Sequence, residues 1–231
     1  ELTSAIVSRT QEIARVAIDV RDHEVVELIT LFFNTFLRHA LNANDVRTIF
    51  HTFYQYRLIG EHCLESGQHD LLTKMAFYFK YYGQQGEKKG IGFAIEIAAS
   101  DLRVLIEKAW EWKSPVTPEL VAIFLEVDRE AEEKDHEMGQ RGVRKSQAIL
   151  AAFFLSKGEE HLARQIFEDM SEERLERMRS IKEELNAGTT QDFWEIQERG
   201  SNFYHIPPEL VPHLDSFFSW FYRPSISNNL G

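Results

Sequence analysis

Apolar residues three and four positions apart recur in one segment after another of this chain. That periodicity admits little besides α-helices, each hiding one oily face against its neighbours. Val46, Ile49, Phe50, Phe53 and Leu64 fall on one side of a segment expected from about Asp45 to Glu65, with Asn44 as its cap. Ser66 and Gly67 interrupt the pattern, and Leu71, Leu72, Met75, Ala76, Phe79 and Tyr82 resume it, which predicts an antiparallel helical hairpin. The most apolar run, Val25 to Leu41, is broken by Glu27, Asn34, Arg38 and His39 and fits a buried core helix better than a membrane span.

Further along, Gly83, Gly86, Gly90 and Gly92 are expected to form the next turn. The stripe Ile91, Ile95, Ala98, Leu102, Leu105, Ile106 and Ala109 then predicts a helix of about five turns. Ser114 and Pro115 end it, and Thr117-Pro118-Glu119 supplies a capping hydroxyl, a first-turn proline and an acid for the next helix, which turns Leu120, Val121, Phe124 and Leu125 inward. The charged stretch Glu126 to Glu137 must face water if helical. Gly139 and Gly142 predict a loop and an internal boundary near 138–143. Gln147 to Leu155 is the densest apolar helix, followed by a turn at Lys157-Gly158 and a helix bearing Leu162, Ala163, Ile166, Phe167 and Met170. Ser171 is expected to cap a segment with Leu175, Met178, Ile181 and Leu185 that Gly188 closes, and Thr190 to Arg199 reads as a short helix. Pro207, Pro208 and Pro212 precede a final helix with Leu214, Phe217, Phe218 and Phe221, leaving 224–231 as a flexible tail. The expected fold is all-α: stacked antiparallel hairpins in a bundle or irregular α-solenoid, forming one domain over 1–223.

Composition narrows function by exclusion. With 37 acidic against 26 basic residues and a formal charge of −11, a broad nucleic-acid or anionic-membrane surface is disfavoured. Cys63 is the single cysteine, so the chain has neither an internal disulfide nor a thiolate-rich zinc site, and a reducing, cytoplasmic compartment is expected. The first residue is Glu1 rather than Met, and no secretory-signal pattern surrounds it, which reads as a cut or cleavage point within a larger protein.

Two stretches resemble known families. Ala151, Phe154, Gly158, Ala163 and Phe167 resemble the packing positions of a tetratricopeptide hairpin, although no second copy recurs 34 residues away and the proline after the second helix is missing. The run His39-Ala40-Leu41-Asn42-Ala43-Asn44-Asp45-Val46-Arg47-Thr48, with Tyr56-Arg57-Leu58, is similar to the soluble portion of a family of bacterial predicted membrane proteins. That resemblance implies a membrane-tethered parent with this part in the cytoplasm, and it implies no reaction.

Each candidate chemical motif has a plainer structural reading. The 83–90 glycines follow a helix and lack the Lys-Ser/Thr ending of a phosphate loop. His69-Asp70 resembles the paired ligands of histidine-aspartate phosphohydrolases, with His39, His51 and Asp101 as nominal partners, but it sits in a polar stretch suited to starting a helix. Glu133 and His136 have di-iron bundle spacing without the second copy such a site needs. His62, Glu65 and His69 are the candidate metal ligands, with Glu61 beside them, against a default of surface placement at a helix end. The place of Cys63 late in an amphipathic helix argues for packing rather than nucleophilic chemistry. His39, Asn42, Asn44, Asp45 and Arg47 gather hydrogen-bonding groups where one helix ends and the next begins, and form the candidate ligand site; capping is the competing explanation. Arg141, Arg144 and Lys145 are the candidate anion contact. Trp110, Trp112, Trp194 and Trp220 suit either a core or a partner groove.

No catalytic constellation stands out and no cofactor is implied. The leading expectation is a cytoplasmic helical scaffold binding a protein partner or itself. The alternative is a helical-bundle metal- or small-molecule-binding protein or hydrolase. A third reading makes Glu126 to Glu137 a regulatory element that changes partners.

Overall fold

The computed structural model describes residues 2–132, 137–167, 181 and 208–219. Every regular element among them is helical: α1 (Leu2–Asp19), α2 (His23–Ala43), α3 (Val46–Glu65), α4 (His69–Lys88), α5 (Gly92–Glu111), α6 (Thr117–Glu132), α7 (Glu137–Ser156), α8 (Glu160–Gln165) and, after a 3-10 turn at Pro208–Leu210, α9 (Val211–Ser219). The all-α class read from the periodicity is the observed one. The chain divides into two compact units, Glu1–Val143 and Arg144–Gly231, the division falling inside α7.

In the first unit α1, α3 and α5 pack in succession as one layer, and α2, α4 and α6 form the other, each packed against its chain neighbours. One recurrent turn explains why consecutive helices fold back on each other. Arg21, Asn44, Gly67, Gly90 and Lys113 all take positive φ. The residue after each, Asp22, Asp45, Gln68, Ile91 and Ser114, donates its backbone N–H to the carbonyl five residues back at 2.8–2.9 Å. This left-handed ending satisfies helix-terminal carbonyls and reverses the chain within a few residues. Asp22 and Asp45 then cap the following helix, accepting from the N–H of Val25 and of Thr48 at 3.1 Å each. The cap expected at Asn44 thus belongs one residue later, and Asn44 closes α2 with φ of 52°.

Two glycine readings are corrected. The turn after α4 uses Gly90, and Gly83 and Gly86 lie within the helix. A Cβ on Gly86 would lie 2.3 Å from Ala94 Cβ, and one on Gly83 would lie 2.9 Å from Ala98 Cβ, so these glycines let α4 and α5 approach closely. Gly139 and Gly142 likewise lie within α7 rather than in a loop, and a Cβ on Gly142 would meet Glu96 Cγ at 2.2 Å.

The core of this unit is aromatic. Phe53 and Phe79 stack at 5.7 Å, Phe33 meets Tyr56 edge-on at 5.3 Å, and all four are buried. Burying a side chain of that size stabilises the fold by on the order of 2–3 kcal/mol. A charged network crosses α3 and α5: Arg57 Nη1 lies 3.1 Å from Asp101 Oδ1 and its Nε 3.3 Å from Glu61 Oε1, while Lys108 donates to Glu61. Asp101 is fully buried there.

In the second unit Ala151, Phe154 and Ala163 are buried, Gly158 makes the turn with φ of 77°, and Phe167 packs on Phe217 at 4.4 Å. Leu214, Phe217 and Phe218 form the buried face of α9. The expectations placed on Glu133 to His136, Met170, Ser171, Leu175, Met178, Leu185, Gly188, Thr190 to Arg199, Phe221, Trp194, Trp220 and the 224–231 tail lie outside the described residues.

Candidate interaction surface

The even-numbered layer of the first unit is unevenly closed. Where α2 runs beside α4, large apolar side chains point outward: Leu28 and Leu31 from α2 are 64% and 59% exposed, Phe77 and Tyr81 from α4 48% and 51%. Residues three and four apart on a helix share a face, so each pair forms a continuous ridge. Two concavities open along this seam and share Phe77 and Tyr78. One, of about 380 Å³, lies among Thr30, Leu31, Leu71 and Met75. The other, of about 530 Å³, is walled by Asn34, Tyr81, Tyr82 and Gln84. Both volumes fall within the roughly 300–1,000 Å³ typical of ligand clefts.

Beneath the seam, hydrogen bonds fix the walls. The Tyr56 hydroxyl of α3 donates to Asn34 Oδ1 at 2.5 Å and lies 3.2 Å from the Thr30 carbonyl, and the Tyr82 hydroxyl donates to the Asn34 carbonyl at 3.3 Å. Burial pushes the Tyr56 hydroxyl well above the ordinary tyrosine value of 10.0, so it stays a neutral donor. Burial, reinforced by neighbouring Tyr81, pushes Tyr82 up to about 12. With Asn34 Oδ1 engaged, its amide nitrogen is the group left to offer the cleft. Gln84 on this wall is nine-tenths buried, and its Nε2, closed to solvent, has no hydrogen-bond acceptor. Lys74 bridges the seam to Glu27 at 3.1 Å, and Lys80 pairs with Glu126 of α6. More than half of the Lys74 and Glu27 side chains is exposed, so that bridge orients the edge more than it stabilises it.

The sequence-derived candidates are distributed otherwise. Asn44 and Asp45 cap helices, Asn42 accepts from Lys89 at 2.7 Å, and His39 and Arg47 are exposed. His62 directs Nε2 at Asp19 (2.7 Å) and Nδ1 at Glu65 (3.1 Å), while His69 faces Ser114 Oγ at 3.1 Å, so two of the candidate metal ligands, His62 and Glu65, meet and His69 is tied elsewhere. Among the described residues no group of three or more His, Cys, Asp or Glu side chains is arranged to hold a metal ion. Asp101, nominal partner of His69-Asp70, is held by Arg57. Arg144 and Lys145 are buried and Arg141 is exposed, so the three do not present one basic surface. Burial pushes the Cys63 thiol up to about 12, which removes its nucleophilicity at neutral pH. Trp112 is 58% exposed.

The outward ridge is not marked by the inward stripes that reveal the helices. Phe77, Tyr78 and Tyr81 lie off the Leu72, Met75, Ala76, Phe79 stripe of α4, and that leftover apolar face was the available signal. Comparison with protein-family models, with curated proteins and with solved structures finds no match.

Proposed function

We propose that this chain is a helical interaction domain that holds a segment of a protein partner in the seam between α2 and α4. The observation that carries the reading is the pair of adjoining clefts lined by the exposed side chains of Leu31, Phe77 and Tyr81. Contiguous exposed apolar surface rimmed by polar groups is uncommon except where a partner covers it. The Asn34 amide suits a polypeptide, whose backbone carbonyls accept from such a donor. A cytoplasmic setting is supported by the single, buried cysteine. Among the described residues no helix is long and apolar enough to cross a membrane; the membrane tether implied by the 39–58 resemblance would lie elsewhere in a parent protein.

Selection from a displayed random-peptide library tests this reading. Peptides enriched on the wild-type chain are expected to lose at least about tenfold in affinity on Leu31→Asp or Phe77→Asp, a difference of about 1.4 kcal/mol. No enrichment, or affinity indifferent to both changes, would refute it.

A further inference from the structure

Helix α1 begins the odd-numbered layer and packs on α2 and α3. Val7, Gln11, Ala14 and Ile18 form its buried face. Its other face is apolar as well. Ile6, Ile13 and Val16 are 40%, 55% and 63% exposed, and Val20, in the turn that follows the helix, 69%. Ile6, Ile13 and Val20 lie seven residues apart, and so do Arg9 and Val16, the two sets interleaved at spacings of three and four. That is the a/d pattern by which one helix seats another. Scattered exposed apolar residues carry no such register.

We propose that this face of α1 pairs antiparallel with α1 of a second copy of the chain, forming a symmetric dimer. Charge decides the direction. Parallel pairing would set Arg9 against Arg9 of the partner subunit at a seam position, like charge on like charge. Antiparallel pairing sets Ile6 opposite Val16 of the partner subunit and Arg9 opposite Ile13 of the partner subunit, with Glu12 of the partner subunit next to it. Within one chain Arg9 and Glu12 already meet at 2.8 Å with 79% and 59% of their side chains exposed, so both reach across without leaving a buried group behind. A two-fold axis makes the surface self-complementary, as a closed dimer requires. The α2–α4 seam plays no part, and this dimer stands or falls independently of it.

Light scattering on the full chain is expected to give twice its 27.0 kDa. Ile13→Asp is expected to halve that mass with unchanged helix content, since Ile13 is more than half exposed, whereas Phe77→Asp leaves it doubled. Copper phenanthroline oxidation reads the direction: Ile6→Cys chains mixed with Val16→Cys chains cross-link, and Ile6→Cys chains alone do not. Buried Cys63 stays silent. A wild-type mass of one chain, an Ile13→Asp variant that keeps the doubled mass, or self-cross-linking Ile6→Cys overturns the proposal.

Discussion

Helix α4 meets α5 and α2 in opposite ways. Toward α5 it presents Gly83 and Gly86, and the backbones close until Ala94 and Ala98 fill the space a side chain would take. Toward α2 it presents Phe77, Tyr78 and Tyr81, and the helices stand apart over two clefts. A single helix thus carries a seam that glycine closes and a seam that rings hold open. Side-chain volume at the contact, more than apolar character, sets how near two helices approach. The closed seam is a matter of stability, and the open one leaves apolar surface exposed, the surface proposed to dock a partner.

Substitutions separate the two roles. Gly86→Leu forces side-chain atoms into Ala94, and chemical denaturation is expected to show a loss of about 3 kcal/mol. Gly86→Ala costs less, and adding Ala94→Gly restores stability; no restoration would mean that the close approach is not what limits this site. Smaller is the effect of the buried hydroxyl and thiol groups, seen in alkali. The unfolded chain loses these protons first: Cys63 titrates at 9.0 unfolded against about 12 folded, Tyr82 at 10.0 against about 12, and Tyr56 at 10.0 against a higher folded value. The folded state therefore binds more of these protons above pH 9.0, and the contribution of these three groups to stability is flat below that pH and falls through about 12. Tyr56→Phe is expected to remove its part of this slope while costing about 1 kcal/mol at neutral pH, through the hydrogen bond lost to Asn34. Smallest is the open face itself, where the Phe77→Asp variant used for binding should change stability by no more than about 0.5 kcal/mol.

How much of this was legible in the sequence depended on the kind of signal. The stripes of α3, α4 and α5 were readable because burial repeats with the helical turn, and Thr117-Pro118-Glu119 marked the start of α6, although the Thr117 hydroxyl donates to the Ser114 carbonyl at 2.9 Å instead of capping the helix. Turn positions were less readable: Arg21 and Lys113 take the left-handed conformation without being glycine or asparagine, held there by the chain reversal around them. Gly83, Gly86, Gly139 and Gly142 misled because a glycine that breaks a helix and one that admits a neighbour look alike until the neighbour is known. The proposed seam needed tertiary structure, since neither Leu31 nor Phe77 marks a cleft until α2 and α4 are brought side by side. The face proposed to form a dimer has a simpler history: the sequence reading begins its helices at Val25, although Ile6, Ile13 and Val20 repeat at seven.

Hydroxyl-radical footprinting of the unliganded chain tests the open seam directly, because α4 supplies its own control. Phe77 and Phe79 stand two residues apart on one helix, the first 48% exposed and the second 1%. Oxidation is expected to be fast at Phe77 and Tyr81 and strongly retarded at Phe79 and Tyr56. Equal protection of Phe77 and Phe79 would show that the seam is closed, and would contradict the docking surface proposed for it.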